Sequence, residues 1–229
     1  MTCLLIDTST QVCSAAFSAD GECVAEKRSF SGPSHASLLG VFIQEMLHDV
    51  QSQYATPDAV AVSCGPGSYT GLRIGVSMAK GLCYGWNVPL IAVNTLELMA
   101  ATVAGRQKTD ADTLLCPMID ARRMEVYAAF FDHEMKCIRK TSADVVTESL
   151  YADLLDKHPT LFFGNGIDKC RNVLTHHNAL FVNNIYPLAV EMIPLAEKAF
   201  AAKRFENAAY FEPFYLKEFV ATMPKNKVF

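Results

Sequence analysis

Two polar turns early in the chain carry residue types that bind phosphate. The first, Asp7-Thr8-Ser9, follows an apolar run, and the second, GPGSYTG, spans residues 65–71. A carboxylate beside hydroxyls can wrap a phosphate or hold a metal-bound water, and glycines at a helix start let backbone N–H groups approach an anion. The alternative for the first turn is that Asp7 and Ser9 only satisfy backbone groups. The candidate nucleotide-binding residues are Asp7, Thr8, Ser9, Gly65, Gly67 and Gly71.

The glycine segment departs from both common nucleotide motifs. A P-loop requires Lys after its closing glycine, but Leu72 follows Gly71. The dinucleotide pattern that begins with Gly65 and Gly67 has Thr70 in place of its third glycine. The segment therefore predicts a phosphate-type turn that specifies no particular nucleotide.

The glycine segment lies within a strand–helix–strand pattern. A buried-strand run at 59–63 precedes it, a helical pattern covers 69–86, and a second apolar run covers 89–93, after which Asn94 or Thr95 begins a helix. Since ligands bind at the carboxyl edge of open α/β sheets, the glycine segment is expected at that edge. Three further strands are predicted earlier in the chain, over residues 3–6, 12–18 and 22–30.

Two helices of this region have features of contact surfaces. Apolar residues recur at helical spacing over 38–50, which predicts an amphipathic helix. On the helix 69–86, Gly71, Gly75 and Ala79 recur every fourth residue and leave a flat seam. Because glycines destabilise a helix, several together indicate that packing needs the room. The neighbour across the seam is either the protein's own sheet, or the helix 38–50 or its copy in another subunit.

The polar segment 105–112 (GRQKTDAD) is the clearest linker in the chain. It divides the sequence into an amino-terminal lobe, residues 1–105, and a carboxyl-terminal lobe, residues 106–229. The second lobe contains no other GPGSYTG-like loop, and Gly164-Asn165-Gly166 is its one candidate for an adenosine loop. Its predicted elements are strands over 114–119, 125–132, 135–140 and 161–164, helices over 149–157 and 188–202, and a frayed tail over 225–229.

Composition narrows the function classes. Of 229 residues, 51% are hydrophobic and 19% charged, which suits a packed globular protein. The formal net charge of -4 argues against tight RNA binding by this chain alone. No signal-peptide pattern follows Met1 and no window is apolar enough to span a membrane, so the cytoplasm is expected. The eight cysteines form no C-x-x-C pair, which favours reduced thiols.

Four segments resemble the TsaB (YeaZ) family: LLIDTST at 4–10, GPGSYTGLRIGVSMAKGL at 65–82, PLIAVNTLELMA at 89–100 and EPFYLKE at 212–218. The resemblance implies the two-lobe α/β fold of actin, sugar kinases and Hsp70, in which each lobe is a ribonuclease H-like mixed sheet flanked by helices. It also implies a non-catalytic subunit that binds a TsaD-like catalytic protein and helps form threonylcarbamoyladenosine next to the tRNA anticodon. The implied partners include a TsaE-like ATPase, tRNA only through the complex, and a second copy of the chain when TsaD is absent.

Comparison with the TsaD relative suggests that catalytic residues and metal ligands are missing. Its stretch N-H-L-E-G-H supplies two metal-binding histidines, whereas Thr95 and Met99 stand at those positions here. The same resemblance places the partner contact on the two helices that precede and follow the glycine segment. The implied interface residues are His35, Leu38, Leu39, Phe42, Gly71, Gly75 and Ala79.

Nucleotide binding and two other functions remain open at the sequence level. The resemblance matches the turn at Asp7 and the glycine segment to facing phosphate loops, so ATP or ADP binding is possible without being firmly implied. A small ATP-dependent phosphotransferase or ATPase of the same fold would use Asp7 or Asp120 as base or metal-holder. A metallopeptidase would need an H-E-x-x-H motif, which the sequence lacks.

Overall fold

The computed structural model describes residues 1–32, 34–54, 56–106 and 109–217. The first part of the chain forms strands β1 (Thr2–Asp7), β2 (Cys13–Ala19), β3 (Glu22–Ser29), β4 (Ala59–Gly65) and β5 (Leu90–Asn94), and helices α1 (His35–Val50), α2 (Tyr69–Trp86) and α3 (Thr95–Arg106). The second part forms β6 (Leu114–Asp120), β7 (Glu125–Phe131), β8 (Cys137–Val145), α4 (Ala152–Leu155), β9 (Thr160–Phe163), α5 (Ile167–Cys170), β10 (Ala179–Val182), a 3₁₀ turn (Val190–Met192) and α6 (Ile193–Ala201). Residues 107–108 of the predicted linker and the predicted frayed tail lie outside the described residues.

Within the described residues, the strands form two five-stranded mixed sheets of the same topology. The first has the order β3-β2-β1-β4-β5, with β1 antiparallel to β2 and parallel to β4. The second has the order β8-β7-β6-β9-β10, with β6 antiparallel to β7 and parallel to β9. The expected arrangement of two ribonuclease H-like lobes is therefore confirmed.

Helices cover both faces of the first sheet. Its central strands β1 and β4 are apolar at their centres, over residues 3–6 and 59–62, because both faces are buried there. Residues of α1 and α2 pack on one face, among them Met46 and Val76. On the other face, α6 contributes Ala196 and Ala199, and α3 contributes Leu98. The first sheet is thus enclosed on both sides.

Helix α3 lies between the two sheets. Leu98 packs with the apolar residues of the first sheet, whereas Met99 and Val103 pack with Leu115 and Phe163 of the second. The buried residues of α3 occupy most of its circumference, so one helix belongs to the cores of both lobes. This shared helix fixes the position of one lobe relative to the other.

Three expectations for the second part of the chain are corrected. The sequence assigns residues 106–229 to the second lobe, but α6 packs on the first sheet because its alanines match the apolar face of β1 and β5. The helix predicted over 188–202 is split into the 3₁₀ turn and α6, which begins beside Pro194, a residue suited to a first helical turn. The helix predicted over 149–157 is limited to α4, and α5 and β10 were not predicted.

Among the described residues, no helix combines the length and apolar character needed to cross a membrane.

Candidate functional site

The first polar turn begins where β1 ends. The Asp7 side chain is completely buried, and its carboxylate accepts hydrogen bonds from the Ser9 backbone N–H at 3.2 Å and from the Ser9 hydroxyl at 3.0 Å. Burial raises the pKa of Asp7 to about 6, although hydrogen bonds to the carboxylate oppose the rise. Asp7 therefore forms its hydrogen bonds within its own turn and has no exposed oxygen for a ligand.

The glycine segment packs directly on this turn. The Ser68 N–H donates to the Ser9 carbonyl at 2.7 Å, and the Thr8 hydroxyl donates to the Gly71 carbonyl at 2.8 Å. A Cβ on Gly67 would overlap the Ser9 carbonyl, and one on Gly71 would overlap the Thr8 carbonyl. The two predicted phosphate loops therefore face each other, but they are hydrogen-bonded together and leave no space for a phosphate between them.

The start of α2 satisfies part of its own backbone. The Ser68 hydroxyl accepts a hydrogen bond from the Gly71 N–H at 3.2 Å, as an N-cap residue does, and the Ser68 N–H is bound to Ser9. The N–H groups that would receive an anion at this helix end are thus partly used within the chain.

Residues 210–217, here named the C-terminal segment, run across the mouth of the cleft between the lobes. The Phe214 N–H donates to the Cys64 carbonyl at 2.7 Å, and the Tyr215 ring lies 4.8 Å from the Tyr69 ring, centroid to centroid. Farther along, Lys217 forms an ion pair with Glu125 of the second lobe.

The C-terminal segment fills the space beside the glycine segment. The backbone of Gly65 has φ +108°, and a Cβ there would lie 2.8 Å from the Phe214 carbonyl oxygen. The cavity that remains has a volume of about 30 Å³, enough for a water or two. Its lining comes from the glycine segment, β7 and the C-terminal segment: Pro66, Gly67, Tyr69, Tyr127, Phe214, Tyr215, Leu216 and Lys217.

The positions of the two TsaD histidines are buried in this protein. The Thr95 side chain is completely buried and its hydroxyl has no hydrogen-bond partner among the described residues. The Met99 methyl group packs against Gly164 of the second lobe. A hydroxyl and a thioether are poor ligands for a hard or borderline divalent ion, so these residues do not fit the catalytic metal of the relative. The described part of the chain also contains no cluster of three His, Cys, Asp or Glu side chains suited to a metal.

The seam on α2 faces inward, which corrects the predicted partner surface. A Cβ on Gly75 would overlap the Thr8 hydroxyl, and Ala79 is completely buried in the first core. A Cβ on Gly71 would likewise overlap the Thr8 carbonyl. The glycines are therefore needed because α2 lies tightly on its own β1 turn. They are not available to a helix of a partner in this arrangement.

Two α1 residues of the predicted interface are buried as well. Leu39 is 1% exposed in the first core. The His35 Nε2–H donates a 2.8 Å hydrogen bond to the Thr10 carbonyl, because a carbonyl oxygen can only accept. Leu38 and Phe42 are half-buried and pack at the edge of the core. Of the predicted residues on α1, Leu38 and Phe42 are the ones that reach the surface.

A different part of α1 and α2 faces outward. A groove of about 480 Å³ lies along α2 and is lined by Tyr69, Thr70, Arg73, Ile74 and Ser77. On α1, Gly40 is exposed, and a Cβ at this position would lie 3.8 Å from the terminal methyl group of Met78. The neighbouring Val41 is 45% exposed. Sequence reasoning chose the glycines that repeat every fourth residue and missed Gly40, which stands alone on α1.

The paired sheets, the shared α3 and the facing turns define a two-lobe α/β protein of the actin and sugar kinase type. The family model described as TsaD, tRNA N6-adenosine threonylcarbamoyltransferase, matches residues 29–223. The solved structure described as YeaZ from Pseudomonas aeruginosa superposes with a TM-score of 0.80 at 25% identity, covering 94% of this chain and 99% of that one.

Curated relatives point to the same family. The tRNA threonylcarbamoyladenosine biosynthesis protein TsaB of Escherichia coli is 30% identical over 228 residues, which cover 96% of each chain. The protein of that name from Bacillus subtilis is 32% identical over 170 residues, covering 72% of this chain and 71% of the relative. The chain belongs to the TsaB (YeaZ) family, as the four sequence segments predicted.

Proposed function

We propose that this protein is a non-catalytic subunit that binds a TsaD-like catalytic protein and supports the formation of threonylcarbamoyladenosine next to the anticodon of tRNA. The observation that carries the proposal is that the fold of the family is retained while the chain's own residues fill its cleft. Thr95 and Met99 occupy the ligand positions as buried residues, and the two loops are bonded to each other. The names of the two TsaB relatives supply the reaction.

The outer surface of α1 and α2 is the proposed contact with the catalytic protein. It combines the groove beside Ile74 with the exposed Gly40 and Val41, so a partner helix can approach closely and bury apolar area. In the absence of the catalytic protein, a second copy of this chain would pair through the same surface, since a two-fold interface is self-complementary. A TsaE-like ATPase completes the assembly, which is expected in the cytoplasm, and tRNA joins through the complex.

An ATP-dependent phosphotransferase is less well supported by the geometry. Such an enzyme would need Asp7 or Asp120 as a base or metal-holder. Asp7 is buried within its turn, and the Asp120 carboxylate forms an ion pair with Lys169. Both carboxylates are thus engaged within the protein.

The variant Gly40→Glu tests the proposed contact. Gly40 lies on the exposed side of α1, and a Cβ there would meet only the terminal methyl of Met78, at an ordinary 3.8 Å. The folded chain should therefore keep its thermal midpoint within a few degrees or gain slightly, because glycine disfavours helices. Binding to the TsaD-like protein, measured by isothermal titration calorimetry, should weaken more than about a hundredfold because a charge is forced into the interface.

Gly105→Glu is the matched control. Gly105 is also an exposed helical glycine with open space around it, but it lies at the end of α3. This variant should bind like the parent. Equal binding by the Gly40→Glu variant would remove the outer surface of α1 and α2 from the proposal, and a parent chain that fails to bind the catalytic protein would refute the proposed function.

A further inference from the structure

The turn between β6 and β7 presents two exposed arginines. Arg122 and Arg123 have φ values of +64° and +47°, a region that favours glycine and asparagine. Both side chains are exposed, and neither guanidinium is paired with a carboxylate among the described residues. Positive φ at two consecutive residues is usual in the tight turn of a β-hairpin, and here it places two exposed arginines at the tip.

Polar contacts with Lys169 and Asp120 hold the turn in this conformation. Lys169, whose side chain is 17% exposed, donates to the Arg123 carbonyl at 2.6 Å and to the Glu125 carbonyl at 3.1 Å, and it also binds the Asp120 carboxylate. The same carboxylate accepts from the Arg122 N–H at 2.8 Å. The arginines therefore project from a braced backbone rather than from a loose loop.

The acidic neighbours of the turn are already neutralised. Asp120 is paired with Lys169, and Glu125 is paired with Lys217 of the C-terminal segment. In the described part of the chain, the carboxylates of Asp120 and Glu125 are thus paired with lysines, and neither Arg122 nor Arg123 forms an ion pair. In a protein with a formal net charge of -4, this makes the turn a local site for an anion.

The surroundings of the turn favour a nucleic-acid backbone. The turn leads into β7, where Tyr127 lines the cleft mouth opposite Tyr69, and Lys217 lies 5.9 Å from the Tyr127 ring centroid. Burial raises the pKa of Tyr127, the charge of Lys217 opposes that rise, the charge of Glu125 adds to it, and the charge of Arg122 opposes it. The exposed positive charge of the turn beside this mouth is suited to the phosphate backbone of an RNA strand.

We infer that Arg122 and Arg123 bind the phosphodiester backbone of the tRNA within the complex. Each guanidinium offers a fork of N–H donors that matches phosphate oxygens. The inference rests on the proposed function, because this chain meets tRNA through the assembled complex. The two arginines position the tRNA and take no part in the chemical step.

The test is the double variant Arg122→Asn/Arg123→Asn in the reconstituted complex. Asparagine tolerates positive φ, so the turn is retained while both charges are removed. We expect the KM for tRNA to rise roughly tenfold with kcat unchanged, because two charge-assisted contacts are lost. The slope of log binding constant against log salt concentration should decrease in magnitude by about 1.4 to 1.8 for two phosphate contacts.

Lys203→Asn/Arg204→Asn is the matched control. These residues are also an exposed basic pair, and Lys203 has φ +52°, but they follow α6 on the first lobe. The control should leave both the KM and the salt slope unchanged. The inference is overturned if the turn variant behaves like this control while the parent complex modifies tRNA.

Two other outcomes separate the remaining explanations. If the turn variant loses affinity for the catalytic protein in the absence of tRNA, the turn contacts an acidic surface of that partner, and the RNA contact is wrong. If the parent chain neither binds the catalytic protein nor supports modification, the proposed function itself fails, and this inference fails with it.

Discussion

At the scale of single residues, the glycines of α2 have two different roles. Gly71 and Gly75 lie so close to Thr8 that neither position has room for a Cβ, whereas Gly81 and Gly85 have open space around them. A sequence pattern cannot separate these roles, because helical spacing gives the relative direction of side chains but not which side meets the sheet.

Gly71→Ala and Gly81→Ala should therefore change stability in opposite directions. The first forces a Cβ into the Thr8 carbonyl and should destabilise the protein by about 1 to 3 kcal/mol. The second adds a methyl group on the exposed side of the same helix and should stabilise it by up to about 1 kcal/mol. Urea denaturation of both variants measures the two effects. Equal effects would contradict the assignment of the seam to the protein's own fold.

Asp7 should make the stability depend on pH. Its carboxyl has a pKa of about 6 in the folded protein against 3.8 when unfolded, so the folded state holds the proton more tightly. The stability contributed by the neutral carboxyl is present below pH 3.8 and is lost as the pH rises through 6. A shift of this size corresponds to about 3 kcal/mol.

The variant Asp7→Asn should remove this dependence. Its free energy of unfolding should exceed that of the parent at pH 8, and the difference should vanish near pH 4, because the parent carboxyl is then neutral. Asp49→Asn, on the exposed side of α1, is the control and should keep the parent's pH profile. A parallel pH profile for Asp7→Asn would show that the buried carboxyl is already charged at no cost.

The sequence predicted which residues meet at the site but not how they meet. The turn at Asp7 and the glycine segment face each other, as the family resemblance implied. Their direct hydrogen bonds depend on the close approach of Gly67 to Ser9, which is a three-dimensional fit that residue types do not report. The filling of the cleft by residues 210–217 was also missed, since contacts over more than a hundred residues leave no local pattern.

At the scale of elements, strongly patterned segments were predicted best. The helix predicted over 69–86 coincides with α2, and the strands of the first lobe differ from the predictions by a residue or two. Strand β10 was missed because it is a four-residue edge strand with little fully buried surface. The position of α6 on the first sheet could not be predicted, because an apolar helix face does not specify which sheet it covers.

The Asp144 carboxylate links the edge strand β8 to Tyr151, the residue before α4. Asp144 accepts two hydrogen bonds from Arg139, at 2.7 and 2.8 Å, and one from the Tyr151 hydroxyl at 2.6 Å, just before α4. Burial alone would raise the pKa of Asp144, but the hydrogen bonds from Arg139 and Tyr151 outweigh it and hold the pKa below its usual value. The carboxylate thus joins a strand to the segment that covers its sheet.

Asp144→Ala should destabilise the protein by about 2 to 3 kcal/mol, because it leaves a half-buried guanidinium and a buried hydroxyl without their partner. Glu45→Ala is the matched control, since Glu45 pairs with Lys27 on the surface with 52% and 38% of the side chains exposed. The control should cost less than about 1 kcal/mol. Similar losses for the two variants, measured by denaturant unfolding, would mean that Asp144 does not fasten β8.

At the scale of the whole molecule, the two lobes repeat one sheet topology and share α3. The turn at Asp7 and the glycine segment, which face each other in the cleft between the lobes, are joined by hydrogen bonds. The C-terminal segment crosses the mouth of this cleft, with contacts to Cys64 and Glu125. Since the two sheets are retained while the chain's own residues fill the cleft, the protein is suited to binding other molecules through its outer surfaces. The two outward surfaces proposed here are the α1 and α2 face and the arginine turn.

The formation of threonylcarbamoyladenosine on tRNA, quantified by mass spectrometry of digested nucleosides, tests the proposed role most directly. The assay combines tRNA, the threonylcarbamoyl donor system, the TsaD-like protein and the TsaE-like ATPase, with and without this chain. The modified nucleoside should be absent when this chain replaces the catalytic protein, and should increase at least about tenfold when both are present, a difference of about 1.4 kcal/mol in the barrier. Modification by this chain alone, or a catalytic protein that works equally well without it, would contradict the role of a non-catalytic supporting subunit.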